Sequence, residues 1–573
     1  MSLTQEKFTS CDLDGKKFKF TLNGRDLHYY GFETVEKFKE YNASISINTL
    51  FDLNNNKFEV EYSDAAFAVR KALLQEYKQI SDAQRLIDMS DDEVEAEWDR
   101  LDLYEKLPAE IYQKRTILFC LQVKKVLVFL EMGLGKSYIG STVLQNLVDD
   151  GKAEPGRILI IAPKTLHTGQ NWPGELVKFS DLHLKIVRDY DDFKVKADVY
   201  LINSEKFRIM SQDEEGNFEP ANPIMMKKFQ VIIFDESAKL KSGTSQITET
   251  FVEYVNRFNI PYRFMMTGLP SPNNAFQLWG QAAAVGFWLG DDYSAFENRY
   301  GKEISFGPAI KKMVPIDGAI EEMKDRIRPV SISFTEEVLN LPPYPIEDVK
   351  VVLDPEHMKL YKQIEDDYFA ILDCKNSKNT EKQKLFVDNE PALRYKLMQT
   401  LDGFVKVKDR YGVSTITTLN WNPKLDRVLL DLERILEDPE NNAIIWTRFR
   451  EEKEVFYREI QKRWLTAYGV GGMSEHQQKT QLSLWLDNKN CRVMIANPGA
   501  FMAGHTWLKA NYTLYPTPVD NHEHYAQSRK RNHRRGQTRT VTEYRYVTFK
   551  TLEKQIWSAM EHKKRLDEFL KSR

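Results

Sequence analysis

The segment Lys124–Ser137 reads KKVLVFLEMGLGKS. Its first half is a continuous apolar run. Its second half is a glycine turn that ends on Lys136 and Ser137. Continuous apolar runs bounded by turns suit strands buried on both faces, as in a parallel sheet covered by helices. The turn carries Gly133-x-Gly135-Lys136-Ser137, the second half of a phosphate-binding loop. Leu130 stands where the first glycine of the full pattern belongs. Such a turn lets the backbone of Met132, Gly133, Leu134 and Gly135 aim N–H groups at phosphate oxygens, and the following helix adds its positive end. On this reading Lys136 reaches the β- and γ-phosphates of ATP, and the Ser137 hydroxyl binds Mg²⁺.

The same rhythm continues outward. RILIIAPKT (157–165), DVYLINSEK (198–206), FQVIIFDES (229–237) and YRFMMTGLP (262–270) are further strand-and-turn runs separated by helical segments. Together they predict one parallel α/β lobe. Amphipathic segments follow at 319–329, 354–373 and 390–404, with a proline-rich joint at LNLPPYPIED (339–348). A second α/β rhythm starts at NPKLDRVLLDLERILE (422–437) and runs through NAIIWTRF, CRVMIANPG, NYTLYPTP and VTEYRYVT. Before all of this, KKFKFTLNG, HYYGF and KFEVEYSD suggest short strands, and residues 65–89 suggest a helix. An acidic stretch follows, and the whole N-terminal module has no catalytic signature.

At 573 residues the chain is long enough for several domains. Its formal charge of -3 means that a nucleic-acid partner would be held by local patches rather than by a global field. Cys11, Cys120, Cys374 and Cys491 lie far apart with no CxxC pair, which points away from a zinc site or a disulfide framework. The start has no apolar signal core, and no run approaches the ~20 apolar residues of a membrane helix. A soluble protein with no membrane partner is expected, in the cytoplasm, or in the host cytoplasm if viral.

Three further places carry chemistry. Asp235 and Glu236 sit at the exit of a hydrophobic strand, about 100 residues after the glycine turn. There an Asp can hold Mg²⁺ and an adjacent Glu can polarise an attacking water. Thr267 and Gly268, at another strand exit, are placed to sense the γ-phosphate. QSRKRNHRRGQ (527–537) concentrates Arg529, Lys530, Arg531, Arg534 and Arg535 in a chain of slight negative charge.

In this order the segments resemble the Swi/Snf-type ATPases of helicase superfamily two. EMGLGKS resembles the first motif of that family, and IYQKRTILFCLQ (111–122) resembles its glutamine segment. IIAPKTLHTGQNWPGEL (160–176) resembles its Asn-Trp-x-x-Glu motif, with Asn171, Trp172 and Glu175. DESAKLKS resembles the DEAH-type box, and TGLPSPNNAFQLWGQ the Thr-Gly-Thr-Pro motif. IIWTRF resembles motif IV, QSRKRNHRRGQ motif VI, and TEYRYVTFKTLEKQI the segment closing the second lobe. The match runs from about 107 to 562, and its details look most like short phage and prophage members.

The resemblance implies an α/β fold with two RecA-like parallel-sheet lobes, helical insertions and a small N-terminal α+β accessory domain. The expected divisions are 1–104, 105–285, 286–415 and 416–573. It implies ATP and Mg²⁺, with Gln113 reading adenine, Arg531 and Arg534 acting as paired fingers on the γ-phosphate, and Gln527 as an interlobe contact. It also implies a DNA track, double-stranded or branched, touched by Lys164, Thr165, Thr447 and Arg448. Residues 1–104 would serve a protein partner. Arg529, Lys530 and Arg535 read as surface or DNA-backbone charge, and Trp172 as a core anchor.

The sequence departs from the pattern at three points. Ala238 replaces the His that usually couples the box to the sensor, Leu269 replaces the second Thr of TGTP, and motif V keeps little beyond Gly504. Three functions remain open. The first is ATP-driven translocation on duplex DNA with remodelling. The second is strand separation or branch migration at forks. The third is nucleotide-gated binding without efficient turnover.

Overall fold

The computed structural model describes Lys17–Phe20, Asn48–Asp52, Lys57–Glu61 and most of residues 84–571. Within that span it leaves out 168–170, 209, 213–217, 221–226, 287, 291, 306–310, 368, 377–378, 387–389, 409–413, 420, 470–472, 499–505 and 520. Most of the expected helix at 65–89, the HYYGF segment and Gly504 lie outside the described residues.

The first lobe is built on seven parallel strands. They are β1 (Lys125–Leu130), β2 (Ile158–Ala162), β3 (Leu184–Val187), β4 (Val199–Asn203), β5 (Val231–Asp235), β6 (Tyr262–Thr267) and β7 (Ser331–Phe334). Their spatial order is β7-β1-β6-β5-β2-β4-β3. The apolar runs become central strands for the expected reason: every residue of β2, β5 and β6 is buried. Around them pack α1 (Ile111–Val123), α2 (Lys136–Asp149), α3 (Trp172–Phe179) and α4 (Leu278–Val285).

The second lobe carries six parallel strands. They are β8 (Ile346–Val351), β9 (Ala443–Trp446), β10 (Thr466–Gly469), β11 (Val493–Ala496), β12 (Tyr512–Tyr515) and β13 (Thr542–Thr548), in the order β8-β13-β12-β9-β11-β10. Along β9, Ala443 and Ile445 join one hydrophobic cluster while Ile444 and Trp446 join another. That alternation puts a core on each face of the sheet. The associated helices are α5 (Pro355–Asp367), α6 (Glu390–Leu401), α7 (Pro423–Glu437), α8 (Arg450–Ile460), α9 (His522–Arg529) and α10 (Glu553–Lys571). The start of α7 was written in the sequence: Asn422 accepts from the Leu425 N–H and Pro423 opens the first turn.

The segment between the lobes is not purely helical. β7 completes the first sheet and β8 the edge of the second, although both lie within 286–415. The expected helix over 354–373 stops at Asp367, and Phe369–Asn376 pairs as a hairpin strand with Asn379–Phe386. The three N-terminal strands pair antiparallel. The acidic stretch after them forms a helix over Asp91–Arg100 with a Ser90/Glu93 capping box. It docks on α1 through Lys114–Glu95 (2.5 Å) and Arg115–Asp91 (3.0 Å), so the chain just before residue 104 packs against the first lobe.

Cys120 and Cys491 are buried free thiols, and Cys11 lies outside the described residues. Among the described residues no helix is long and apolar enough to cross a membrane.

Candidate nucleotide site at the lobe interface

β1 delivers the chain to the glycine turn, and α2 begins at Lys136 with Gly135 as its N-cap. Gly133 and Gly135 hold φ of 92° and 80°, the left-handed region that glycine reaches without strain. The turn is braced from α1: Tyr112 Oη and Gln113 Nε2 both donate to the Leu134 carbonyl, at 3.1 and 3.3 Å. A Cβ on Gly135 would lie 2.6 Å from Gln113 Nε2, so the glutamine occupies the space beside the loop. Lys136 Nζ donates to the Leu130 carbonyl at the base of the loop. Ser137 is half-buried one residue on.

Asp235 ends β5 and is buried. Its Oδ1 accepts from the Glu236 N–H at 3.0 Å and its Oδ2 from Trp172 Nε1 at 2.8 Å. Trp172, 1% exposed, is therefore both a core anchor and a hydrogen-bond donor to this carboxylate. Its ring lies against Gly140 of α2, where a Cβ would come within 2.9 Å of it. Burial raises the Asp235 pKa, opposed by the Lys136 ammonium and the Trp172 bond. Burial also pushes Glu236 up to about 7, with Lys136 opposing and Asp235 adding.

Thr267 and Gly268 lie beside the same loop. A Cβ on Gly268 would meet the Leu130 carbonyl and Met132 at 3.3 Å. Thr267 Oγ1 accepts from the Leu269 N–H.

The basic run reaches this loop from the other lobe. A Cβ on Gly133 would sit 3.7 Å from the Arg534 Cβ. Burial and the neighbouring Arg534 push the Arg531 pKa down to about 9, and burial lowers that of Arg534, with Glu175 opposing. Guanidinium groups stay charged in proteins, so two cations are crowded together, Arg534 beside the loop and Arg531 near Arg534, an arrangement that an anion would relieve.

Of the other basic residues of the run, Arg529 and Lys530 are largely buried in ion pairs, while Arg535 is exposed and paired at the surface. Arg529 pairs with Glu543 at 3.1 Å inside the second lobe. Lys530 pairs with Glu131 and Glu336, and Arg535 with Glu110, all in the first lobe. His533 Nδ1 lies 3.2 Å from Glu336. At the C-terminal end of α10, Lys571 Nζ reaches Asp567 (2.7 Å), Glu131 (3.1 Å) and the Gly268 carbonyl (3.1 Å). Arg531 and Arg534 are thus flanked by ion pairs across the cleft. Gln527 is not among these contacts: it donates to Glu523 one turn earlier on α9.

The residues expected on a nucleic-acid track are split. Lys164 and Thr165 form a short turn after β2, with Lys164 exposed. Thr447 is fully buried, its N–H donating to the Ala496 carbonyl, while Arg448 lies over the Tyr395 and Phe449 rings. Of that second pair, only Arg448 has side-chain surface to offer.

Two parallel sheets, the first carrying a glycine-lysine loop that opens α2 and the second bringing Arg534 beside that loop, define a two-lobed α/β protein with a P-loop-like turn. The profile of the SNF2-related domain family matches residues 112–399, and the chain belongs to that family. It is 25% identical over 443 residues to an ATP-dependent helicase of Mycoplasma genitalium, covering 76% of this chain and 39% of that protein. It is 32% identical over 213 residues to protein p41 of Acyrthosiphon pisum secondary endosymbiont phage 1, covering 34% of this chain and 43% of p41. The chain thus spans less than half of either relative. The Sulfolobus solfataricus SWI2/SNF2 ATPase core in complex with dsDNA aligns at 20% identity and TM-score 0.38, over 82% of this chain and 94% of that one.

Proposed function

We propose that the protein is a DNA-dependent ATPase that couples ATP hydrolysis to translocation on double-stranded DNA and to remodelling of DNA or protein–DNA complexes. The observation that carries the proposal is the approach of Arg534, with the buried Arg531 beside it, to the Gly133 turn across the lobe interface. In this reading the loop backbone and Lys136 bind the triphosphate of ATP. Ser137 and Asp235 offer the hard oxygen donors that suit Mg²⁺, and the buried Asp235 carboxylate gains from a cation. Bound Mg²⁺ would supply charge neutralisation at the phosphates. Glu236, whose carboxylate is made more basic by burial, orients and deprotonates the attacking water. Arg531 and Arg534 stabilise charge that develops on the transferred phosphoryl group.

Because the loop and the fingers lie on different lobes, ATP favours closure and hydrolysis releases it. Repeated against a phosphate backbone, that cycle moves the protein along DNA without reading sequence. The family relatives support the reading in kind, since one is named an ATP-dependent helicase and another, of Saccharomyces cerevisiae, an ISWI chromatin-remodeling complex ATPase.

The test is ATP hydrolysis with duplex, single-stranded and forked DNA, alongside strand displacement on the fork. Translocation predicts the strongest stimulation by duplex DNA, without strand separation. Stimulation confined to forks, with displaced strands, would favour the strand-separating reading. ATP binding with no turnover on any DNA would leave a nucleotide-gated binding protein.

A further inference from the structure

Asp235 and Glu236 are joined to the Thr267–Pro270 segment by a side chain that belongs to neither. Glu236 sits at φ 55°, and Ser237–Lys239 then forms a tight turn. Ala238 brings no polar group to that turn. Ser237 does: its Oγ donates to Gln281 Oε1 at 2.9 Å. Gln281 Nε2 in turn donates to the Pro270 carbonyl at 2.8 Å. Ser237 and Gln281 are both 0% exposed.

Gln281 belongs to α4, LWGQAAAV, whose residues are all buried. A lone amide in such a helix must be satisfied, and this one accepts from one segment and donates to the other. Gly280 permits the close approach, because a Cβ there would fall 2.5 Å from the Leu240 carbonyl just after the turn. The far end of the link continues. Gly268, two residues before Pro270, packs on the loop at Leu130 and Met132, and its carbonyl accepts from Lys571 of the second lobe. A buried route therefore runs from Glu236 through Ser237, Gln281, Pro270 and Gly268 to the end of α10.

We propose that Gln281 is a positioning residue that couples the Asp235–Glu236 turn to the Thr267–Pro270 segment and, through Gly268 and Lys571, to the state of the second lobe. The inference rests on the ATPase reading above. Its physical content is that neither segment can shift relative to the other without breaking a buried hydrogen bond, so their movements are tied.

Gln281→Met keeps the length of the side chain and removes both bonds, whereas Ser237→Ala removes only one. With Gln281→Met, the KM for ATP and the DNA-free rate are expected to stay within about twofold of wild type, while stimulation by DNA falls about tenfold. Adding Ser237→Ala should cost nothing more, since both changes cut one link. If basal and stimulated rates fall in parallel along with the Tm, Gln281 serves packing alone and the inference is wrong.

A second readout is independent of DNA. Dyes on the two lobes report closure by energy transfer when ADP and beryllium fluoride are added. Gln281→Met should bind this nucleotide as wild type does and reach the same final signal, but close about tenfold more slowly, too slowly for DNA-stimulated turnover and still fast enough for the DNA-free rate; an unchanged closing rate would overturn the proposal. A wild-type protein that no DNA stimulates would instead count against the ATPase reading, with the closure measurement still deciding the role of Gln281.

Discussion

Arg534→Ala is expected to slow ATP hydrolysis by on the order of 10³–10⁵-fold, with ATP affinity changed far less. Arg534 comes from the second lobe, yet its Cβ lies beside Gly133 of the first. A guanidinium there gains most when negative charge grows on the γ-phosphoryl oxygens, which is in the transition state. The lobes should still dock, because Lys530, Arg535 and Lys571 keep their own acidic partners across the cleft. Arg534→Lys should rescue little, since an ammonium cannot fork onto two oxygens. Steady-state hydrolysis with parallel binding of a fluorescent ATP analogue separates the two effects. A fall in affinity that accounted for the whole loss of rate would argue against a finger.

Lys136→Ala is expected to abolish measurable turnover and to weaken ATP binding as well. Loss of one charge-assisted bond of ~1.5–3 kcal/mol lowers affinity by roughly 10–100-fold. Loss of a preorganised charge at the reacting phosphate takes a further ~10²–10³ from the rate. The fold should tolerate the change. In this structure the Lys136 ammonium is bonded to the Leu130 carbonyl, at a half-buried position, and Ala suits the first turn of a helix. Thermal unfolding of the variant should therefore match wild type while hydrolysis disappears. Retained turnover would show that the loop does not hold the triphosphate.

The sequence marks both positions, for different reasons. The loop announced itself locally, through an apolar strand, two glycines and a lysine at the head of a helix. Arg531 and Arg534 were legible only through the resemblance, because nothing adjacent to them says what they face. The acids that hold the run in place were not legible. Glu110, Glu131 and Glu336 are distant in sequence from Lys530 and Arg535, and an ion pair across two lobes leaves no local pattern. Reading Lys530 as surface charge failed for that reason, whereas Arg535 is exposed as expected and pairs with Glu110 at the surface.

The fold shows the same divide. Strands β2 and β5 could be read from continuous apolar runs, and β6 from one broken only by Arg263. β7 could not: its four residues, SISF, alternate, and it returns to the first sheet from within 286–415, the stretch expected to be a helical insertion. Trp172 illustrates a partial reading. Its burial was expected, but the bond from its indole to Asp235 depends on where α3 and β5 meet in space.

The most direct measurement is a structure of the protein with ADP and a γ-phosphate mimic such as aluminium fluoride. The account predicts one nucleotide clasped between the lobes, with the Lys136 ammonium and the Arg531 and Arg534 guanidinium groups all within hydrogen-bond distance of the mimic. A closed structure in which the mimic touches Lys136 while both arginines point away would contradict it.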